Sequence, residues 1–133
     1  MRCSAVATIL LVDDDPMILR PLSIMLEAKG FYVRTAQNGV DAMASTQSAN
    51  PDLVVTDWRM PGGDGAALCR SLKTNPATAG IPVIMWSSES PPSTVEPLWD
   101  LLLRKPAPIS ELIGAIVRLL KERPSTSYVV PAV

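Results

Sequence analysis

The sequence contains no histidine, and its only two cysteines are Cys3 and Cys69. Cysteine and histidine are the usual ligands of zinc in proteins, so a zinc site built from these two residue types is excluded. Two distant thiols do not form a disulfide framework, which fits a reducing compartment. We therefore expect a cytoplasmic protein.

The sequence also lacks an excess of charge and long apolar runs. Its 12 basic and 13 acidic residues give a net charge of −1, and no basic run marks a surface for nucleic acid or anionic lipid. No apolar stretch reaches the roughly 18 residues of a membrane span. The short apolar run after Arg2 ends at three aspartates, unlike a signal peptide. We expect no direct contact with nucleic acid or with a membrane.

Short apolar runs do alternate with amphipathic segments along the chain. Strands buried on both faces are predicted at residues 9–12, 53–55, 83–86 and 101–103, and a weaker strand is predicted at residues 31–33. This alternation favours βαβ units and a parallel α/β sheet. The chain length fits one domain, which we predict over residues 6–122, with a C-terminal tail over residues 123–133.

Four segments between or after the strands have helical periodicity. The first is capped by Asp15, begins at Pro16 and ends near Gly30. Its predicted buried face consists of Ile18, Leu22, Met25 and Leu26. The other helices are predicted at residues 40–47, 66–73 and 109–120.

Acidic residues follow two of the predicted strands. Asp13 and Asp14 come directly after the first strand, and Asp57 comes after the third. Open parallel sheets bind ligands at the carboxyl ends of their strands. If these two strands are neighbours, three carboxylates converge there and require a cation, and a set of oxygen ligands suits Mg²⁺.

Two more polar residues stand at strand ends. Ser87 ends the fourth predicted strand and Lys105 follows the fifth. Lysine supplies a compact positive charge for a phosphoryl oxygen, so the set suits phosphoryl transfer to a carboxylate. Each residue alone has an ordinary explanation, such as helix capping for the aspartates. Only their joint position at the ends of different strands favours a functional site.

These residues resemble the motifs of receiver domains in two-component response regulators. The matching residues are Leu11, Val12, Asp13, Asp14, Asp15, Asp57, Trp58, Arg59, Met60, Pro61, Gly65, Ser87, Ser88, Lys105 and Pro106. The resemblance covers nearly all of residues 7–122. It implies a flavodoxin-like (βα)₅ fold, in which a doubly wound, five-stranded parallel sheet has the strand order 2-1-3-4-5.

The resemblance also implies a role for each site residue. Asp57 would take a phosphoryl group from a phosphohistidine of a histidine kinase or histidine phosphotransfer protein. Asp14 and Asp57 would bind Mg²⁺ directly, Asp13 would bind it through water, and the backbone carbonyl of Arg59 would complete the protein ligands. Lys105 would pair with the acceptor carboxylate and then with the phosphoryl group, to which Ser87 would also donate a hydrogen bond.

On this interpretation the chain is a phosphoacceptor rather than an enzyme, although it promotes its own phosphorylation and dephosphorylation. We expect a stand-alone or excised receiver that signals by contact with a downstream protein. One alternative is a degenerate receiver that binds its partner without phosphorylation. Another is a phosphatase with an aspartyl-phosphate intermediate, but such enzymes usually need a second aspartate where this chain has Arg59.

Two features depart from the family pattern. Leu102 stands where receivers usually carry an aromatic residue, and the connection between Ser87 and Lys105 is shorter than usual. This connection contains three prolines, Pro91, Pro92 and Pro97, which interrupt helices. We therefore predict a shortened and irregular fourth helix.

Overall fold

The computed structural model describes residues 5–58, 65–87, 98–105, 108–122 and 128–129. Its strands are β1 (Ala5–Val6), β2 (Thr8–Val12), β3 (Tyr32–Ala36), β4 (Leu53–Thr56), β5 (Val83–Ser87), β6 (Leu101–Arg104) and β7 (Tyr128–Val129). Its helices are α1 (Pro16–Ala28), α2 (Gly39–Ser48), α3 (Gly65–Thr74) and α4 (Ile109–Lys121). Strands and helices alternate from β2 to β5, as the pattern of apolar runs predicts, and β6 and α4 follow.

Five of the strands form one parallel sheet in the order β3-β2-β4-β5-β6. Counted within this sheet, the order is 2-1-3-4-5, which confirms the predicted topology. The sequence of the central strand alternates between the two faces: Ile9 and Leu11 belong to one buried cluster, and Leu10 and Val12 to another. The sheet is therefore covered on both sides.

Helix α1 begins as predicted but packs along a different stripe. The Asp15 side chain accepts a hydrogen bond from the Met17 N–H, and Pro16 occupies the first helical position. The buried residues are Leu19, Leu22 and Leu26, whereas Met25 is 42% exposed and Ile18 only half-buried. The predicted buried face was thus partly wrong. The apolar stripe of α1 is wider than the area that contacts the sheet, so packing on the sheet decides which apolar residues are buried.

Strand β3 is longer than the sequence predicted. It runs to Ala36 and includes the polar residues Arg34 and Thr35, while Phe31 is buried just before it. The Arg34 guanidinium donates hydrogen bonds to the backbone carbonyls of Ser45 and Ala49. The charged side chain of Arg34 thus has hydrogen-bond partners at the C-terminal end of α2, although it lies on an edge strand. A search for apolar runs does not detect a strand that contains such a residue.

Two further predictions concern segments outside the main sheet. The predicted irregular fourth helix falls on residues 88–97, which lie outside the described residues. Leu98 and Trp99, which follow that segment, pack against the core. Two residues of the predicted tail form β7, which pairs in parallel with β1.

Candidate functional site

Backbone hydrogen bonds join the ends of the five strands of the main sheet at one edge. The Asp57 N–H donates to the Val12 carbonyl at 3.0 Å, and the Asp13 N–H donates to the Ala36 carbonyl at 3.1 Å. Asp13 and Asp57 therefore follow neighbouring strands, as the predicted strand order requires. On the other side of β4, the Lys105 N–H donates to the Ser87 carbonyl at 2.8 Å and ties the end of β6 to the end of β5.

Three carboxylates converge at this edge. One oxygen each from Asp13, Asp14 and Asp57 lies within 4.8 Å of the other two. Asp13 is 5% exposed, Asp57 is half-buried and Asp14 is exposed. Within the part of the chain that the structure describes, no other group of acidic or thiol side chains converges in this way. The cluster can hold a cation that prefers oxygen ligands.

Lys105 reaches into the same cluster from the end of β6. Its Nζ lies 2.9 Å from Oδ2 of Asp13 and 3.5 Å from Oδ2 of Asp57. The shorter contact is to Asp13, whereas the resemblance to receivers implies a pairing with Asp57. Since one ammonium faces three carboxylates, two negative charges remain in excess when all three are ionised.

Asp13 is the buried member of the cluster. Burial raises the pKa of its carboxyl above the ordinary value of 3.8, because a charge loses the stabilisation of water. The hydrogen bond from Lys105 lowers the pKa in turn, as does the hydrogen bond from the Asp15 N–H to Oδ1 at 3.0 Å. Asp13 is thus held by two donors, while Asp15 itself caps α1.

The carboxylate of Asp57 is held by its own loop. The Trp58 N–H donates to its Oδ1 at 2.7 Å, which leaves Oδ2 directed toward Lys105. The Trp58 carbonyl accepts from the Gly65 N–H at 2.7 Å. A Cβ atom on Gly65 would lie 2.1 Å from the backbone oxygen of Asp57, so glycine is needed for this close approach. Gly65 belongs to the motif shared with receivers, but the motif alone does not show this packing reason.

Ser87 lies at the carboxyl end of β5 and is 1% exposed. The structure therefore places it at the same edge as the acidic cluster. Arg59, whose carbonyl the resemblance implies as a metal ligand, lies outside the described residues. Of the residues predicted for the site, the structure brings together Asp13, Asp14, Asp57 and Lys105, with Ser87 at the adjoining strand end.

The contact between Trp86 and Lys105 is not predicted by the sequence. The Lys105 Nζ lies 5.1 Å from the centroid of the Trp86 ring, which is within the range of a cation–π interaction. An aromatic residue in an apolar strand is expected in the core by default, and Trp86 does pack against a core cluster. No sequence signal marked its second contact, because the lysine is 19 positions away (105 − 86).

A small apolar cluster lies next to Asp57. Trp58 is 7% exposed and forms a cluster with Ala66 and Met85, against which Trp99 and Leu102 pack. Leu102 is therefore half-buried beside the loop that carries Asp57.

Among the described residues, no helix is long and apolar enough to cross a membrane.

The sequence is similar to that of response regulators. Residues 9–117 match the response regulator receiver domain family. The chain is 34% identical over 124 residues to the transcriptional regulatory protein ResD of Bacillus subtilis, a match that covers 90% of this chain and 50% of that protein. The chain thus spans half the length of this curated relative.

Solved structures of receiver domains are also similar. The signal receiver domain of a signal transduction histidine kinase from Syntrophus aciditrophicus has a TM-score of 0.84 and 32% identity, with 96% of this chain and 100% of that chain covered. The response regulator protein TrrA from Thermotoga maritima, in complex with Mg²⁺ and BeF, has a TM-score of 0.78 and 28% identity, with 86% and 99% covered.

Proposed function

The chain belongs to the response regulator receiver domain family, and we propose that it accepts a phosphoryl group on the carboxylate of Asp57. One observation carries the proposal: this half-buried carboxylate lies at a strand end, 3.5 Å from the Lys105 ammonium and beside two other carboxylates. A carboxylate nucleophile needs access to its donor and positive charge near the phosphoryl oxygens. Asp57 has both.

The proposed donor is a phosphohistidine of a histidine kinase or a histidine phosphotransfer protein. A carboxylate oxygen of Asp57 attacks the phosphorus, and the new P–O bond forms as the P–N bond breaks. The histidine nitrogen keeps the electron pair of that bond, and the imidazole leaves as a neutral base with a proton on its other nitrogen. Asp57 becomes an acyl phosphate, and no oxidant or reductant is required.

Asp13, Asp14 and Asp57 would hold Mg²⁺, and the backbone carbonyl of Arg59 is proposed as a further ligand. The residues fit such an ion, because a divalent cation balances the two negative charges that Lys105 leaves uncompensated. When bound, Mg²⁺ neutralises charge on the acceptor and phosphoryl oxygens. TrrA, a similar response regulator, has been solved with Mg²⁺ and BeF.

Lys105 and Ser87 are proposed to bind the transferred group. The Lys105 ammonium has three N–H donors and can exchange a carboxylate oxygen for a phosphoryl oxygen. The Ser87 hydroxyl would donate a second, charge-assisted hydrogen bond. Release of the group requires water, which attacks the phosphorus, regenerates the Asp57 carboxylate and yields inorganic phosphate. We propose that the chain promotes this hydrolysis in itself and turns over no other substrate.

The proposed output is contact with a downstream protein in the cytoplasm. A relative of twice this length is named a transcriptional regulatory protein, but this chain has a near-zero net charge and no basic run. We therefore propose that the receiver, over residues 6–122, does not bind nucleic acid directly.

The test is phosphorylation of the purified chain with acetyl phosphate and Mg²⁺, followed by intact-mass measurement. One phosphoryl group should be added, and Asp57→Asn should abolish the addition. Asp52→Asn is the matched control: it makes the same chemical change just before β4, at the opposite edge of the sheet, and its amide oxygen can still accept from the Thr8 N–H. Labelling that persists in Asp57→Asn contradicts the acceptor assignment, and no labelling of the wild type favours the degenerate receiver.

A further inference from the structure

The Lys105 ammonium has three neighbours that differ in kind. Two are carboxylates, Asp13 at 2.9 Å and Asp57 at 3.5 Å. The third is the Trp86 ring, whose centroid lies 5.1 Å from Nζ. A carboxylate binds an ammonium by accepting a hydrogen bond, whereas an aromatic ring attracts it through its quadrupole and accepts none. The ring can therefore hold Lys105 in place without using any of the three N–H donors.

Trp86 is itself fixed by the fold. It lies on β5, and its half-buried side chain packs against the core cluster that includes Leu11, Leu19 and Val55. The next residue, Ser87, accepts the backbone N–H of Lys105. Two successive residues of one buried strand thus hold the backbone and the side chain of Lys105.

Hydrogen bonding by the indole nitrogen does not explain why position 86 is a tryptophan. Its Nε1 is buried and has no hydrogen-bond partner among the residues that the structure describes. A buried donor without a partner is unfavourable, and an aliphatic side chain would fill the same place without one. What tryptophan adds at this position is the face of its ring.

We infer that Trp86 is a positioning residue for phosphoryl transfer: its ring holds the Lys105 ammonium at the acidic cluster while that ammonium changes oxygen partners. The inference rests on the proposed function of Asp57. When a phosphoryl group arrives, Lys105 must release an oxygen of Asp13 or Asp57 and bind one of the phosphoryl oxygens. The ring keeps the ammonium within reach of all these oxygens during the exchange, so a long and otherwise flexible side chain need not be reordered.

The contact itself can be tested without phosphorylation. Protons on the ε-carbon of Lys105 should show an upfield ring-current shift in the NMR spectrum, assigned by comparison with Lys105→Met. The shift should be lost in Trp86→Leu and partly kept in Trp86→Phe, which retains a ring. An unshifted Lys105 resonance in the wild type overturns the inference.

The role in transfer is tested by a double-mutant cycle with acetyl phosphate as donor. Trp86→Leu should slow labelling by ~3- to 10-fold, the range of a partly buried cation–π contact, and Trp86→Phe should restore part of the rate. In a Lys105→Met background, Trp86→Leu should have no further effect on the residual rate. Equal slowing in both backgrounds would mean that Trp86 only supports the fold, and it overturns the inference.

Two further results separate the possible failures. If wild type labels normally and Trp86→Leu labels at the same rate, the positioning role is wrong while the function of Asp57 stands. If wild type does not label at all, the proposed function fails, and the positioning role fails with it. If Trp86→Leu does not fold, the Trp86 indole can be fluorinated instead, which weakens the ring quadrupole at nearly constant shape. The rate of labelling should then fall with each added fluorine. A constant rate of labelling overturns the inference.

Discussion

Gly65 brings the first turn of α3 against the backbone of Asp57. The Gly65 N–H donates to the Trp58 carbonyl, and a Cβ atom here would overlap the Asp57 backbone oxygen. The clash is with backbone rather than with a flexible side chain, so the loop itself must move to relieve it. A residue without chemical function therefore controls where the Asp57 carboxylate lies.

We predict that Gly65→Ala lowers the free energy of unfolding by about 1–3 kcal/mol, the usual cost of overpacking, and slows labelling of Asp57. Gly114→Ala is the matched control. Gly114 lies inside α4, and apart from its own helix backbone no described atom lies within 4 Å of its would-be Cβ. Alanine there should add about 0.5–1 kcal/mol of stability through helix propensity. Denaturant titration and acetyl phosphate labelling measure both effects. Equal stability changes in the two variants would contradict this account.

The thiol of Cys69 is fully buried against α2 and the sheet. Burial raises its pKa from 9.0 to about 11, because the thiolate would lose its hydration, and the nearby Lys73 only partly opposes this shift. The unfolded thiol loses its proton near pH 9, whereas the folded thiol keeps it to higher pH. The unfolded state thus binds fewer protons in this window, and stability falls as the pH rises.

We predict that this single group removes up to roughly 2–3 kcal/mol of stability between pH 9 and 11. Cys69→Ala removes the titrating group, so its unfolding free energy should fall less steeply over the same range. Urea titrations of both proteins at several pH values provide the comparison. Parallel curves for the two proteins would refute the assignment.

At the scale of the element, α1 tolerates a proline in its interior. Pro21 lies in the second turn and is exposed. It has no N–H to donate to the Met17 carbonyl, and its ring crowds the preceding turn. Pro16, at the first helical position, removes no helical hydrogen bond, because the first N–H groups of a helix have no partner within it.

We predict that Pro21→Ala raises the free energy of unfolding by ~1–3 kcal/mol, since proline in a helix interior costs up to about 3 kcal/mol. Pro16→Ala makes the same chemical change in the same helix and should alter stability by no more than about 0.5 kcal/mol. Thermal and urea unfolding of the three proteins measure the difference. A larger gain from Pro16→Ala than from Pro21→Ala would show that this explanation is wrong.

The start of β6 is held by a polar cluster around Asp100. The Asp100 carboxylate accepts from the Val83 N–H at 2.8 Å and from Lys73 Nζ at 3.2 Å, and the Asp100 N–H donates to the Val83 carbonyl. Lys73 also donates to the Ile81 carbonyl at 2.9 Å. These contacts fix the register of β6, which in turn sets the position of Lys105.

On the scale of the whole molecule, repulsion within the acidic cluster destabilises the folded state. Folding brings three carboxylates within 4.8 Å of one another, and their repulsion is only partly offset by Lys105. A bound divalent cation would remove this repulsion and would therefore stabilise the folded state.

We predict that Mg²⁺ raises the melting temperature of the wild type, by the equivalent of about 2.7 kcal/mol at a concentration of 100 times its Kd. Asp14 is exposed, so Asp14→Asn should fold normally, be more stable than wild type in a chelator, and gain less from Mg²⁺. Calorimetry with and without Mg²⁺ measures the stability of both proteins. Tryptophan emission, to which Trp58 next to Asp57 contributes, reports binding of the ion. An equal gain from Mg²⁺ in both proteins would exclude Asp14 as a ligand.

The sequence by itself determined the strand and helix order, the doubly wound parallel sheet and the edge at which the site lies. Apolar runs such as residues 53–55 are local signals, and the carboxyl ends of parallel strands share one edge, so Asp13, Asp57, Ser87 and Lys105 could be assigned to it before the structure was known. The resemblance to receivers supplied the strand order, which the sheet confirms.

Only the tertiary structure decided which groups touch within that edge. The 2.9 Å contact of Lys105 with Asp13 and the Trp86 ring beside the same ammonium join residues that are distant in the chain. The approach of Gly65 to Asp57 depends on how α3 packs against the end of β4. The same holds for the buried stripe of α1, where Leu19 replaces Met25. The periodicity of a sequence shows which residues share a strand or a helix face. Distances of a few ångströms between side chains depend on how neighbouring elements rotate and pack, and no local sequence pattern contains that information.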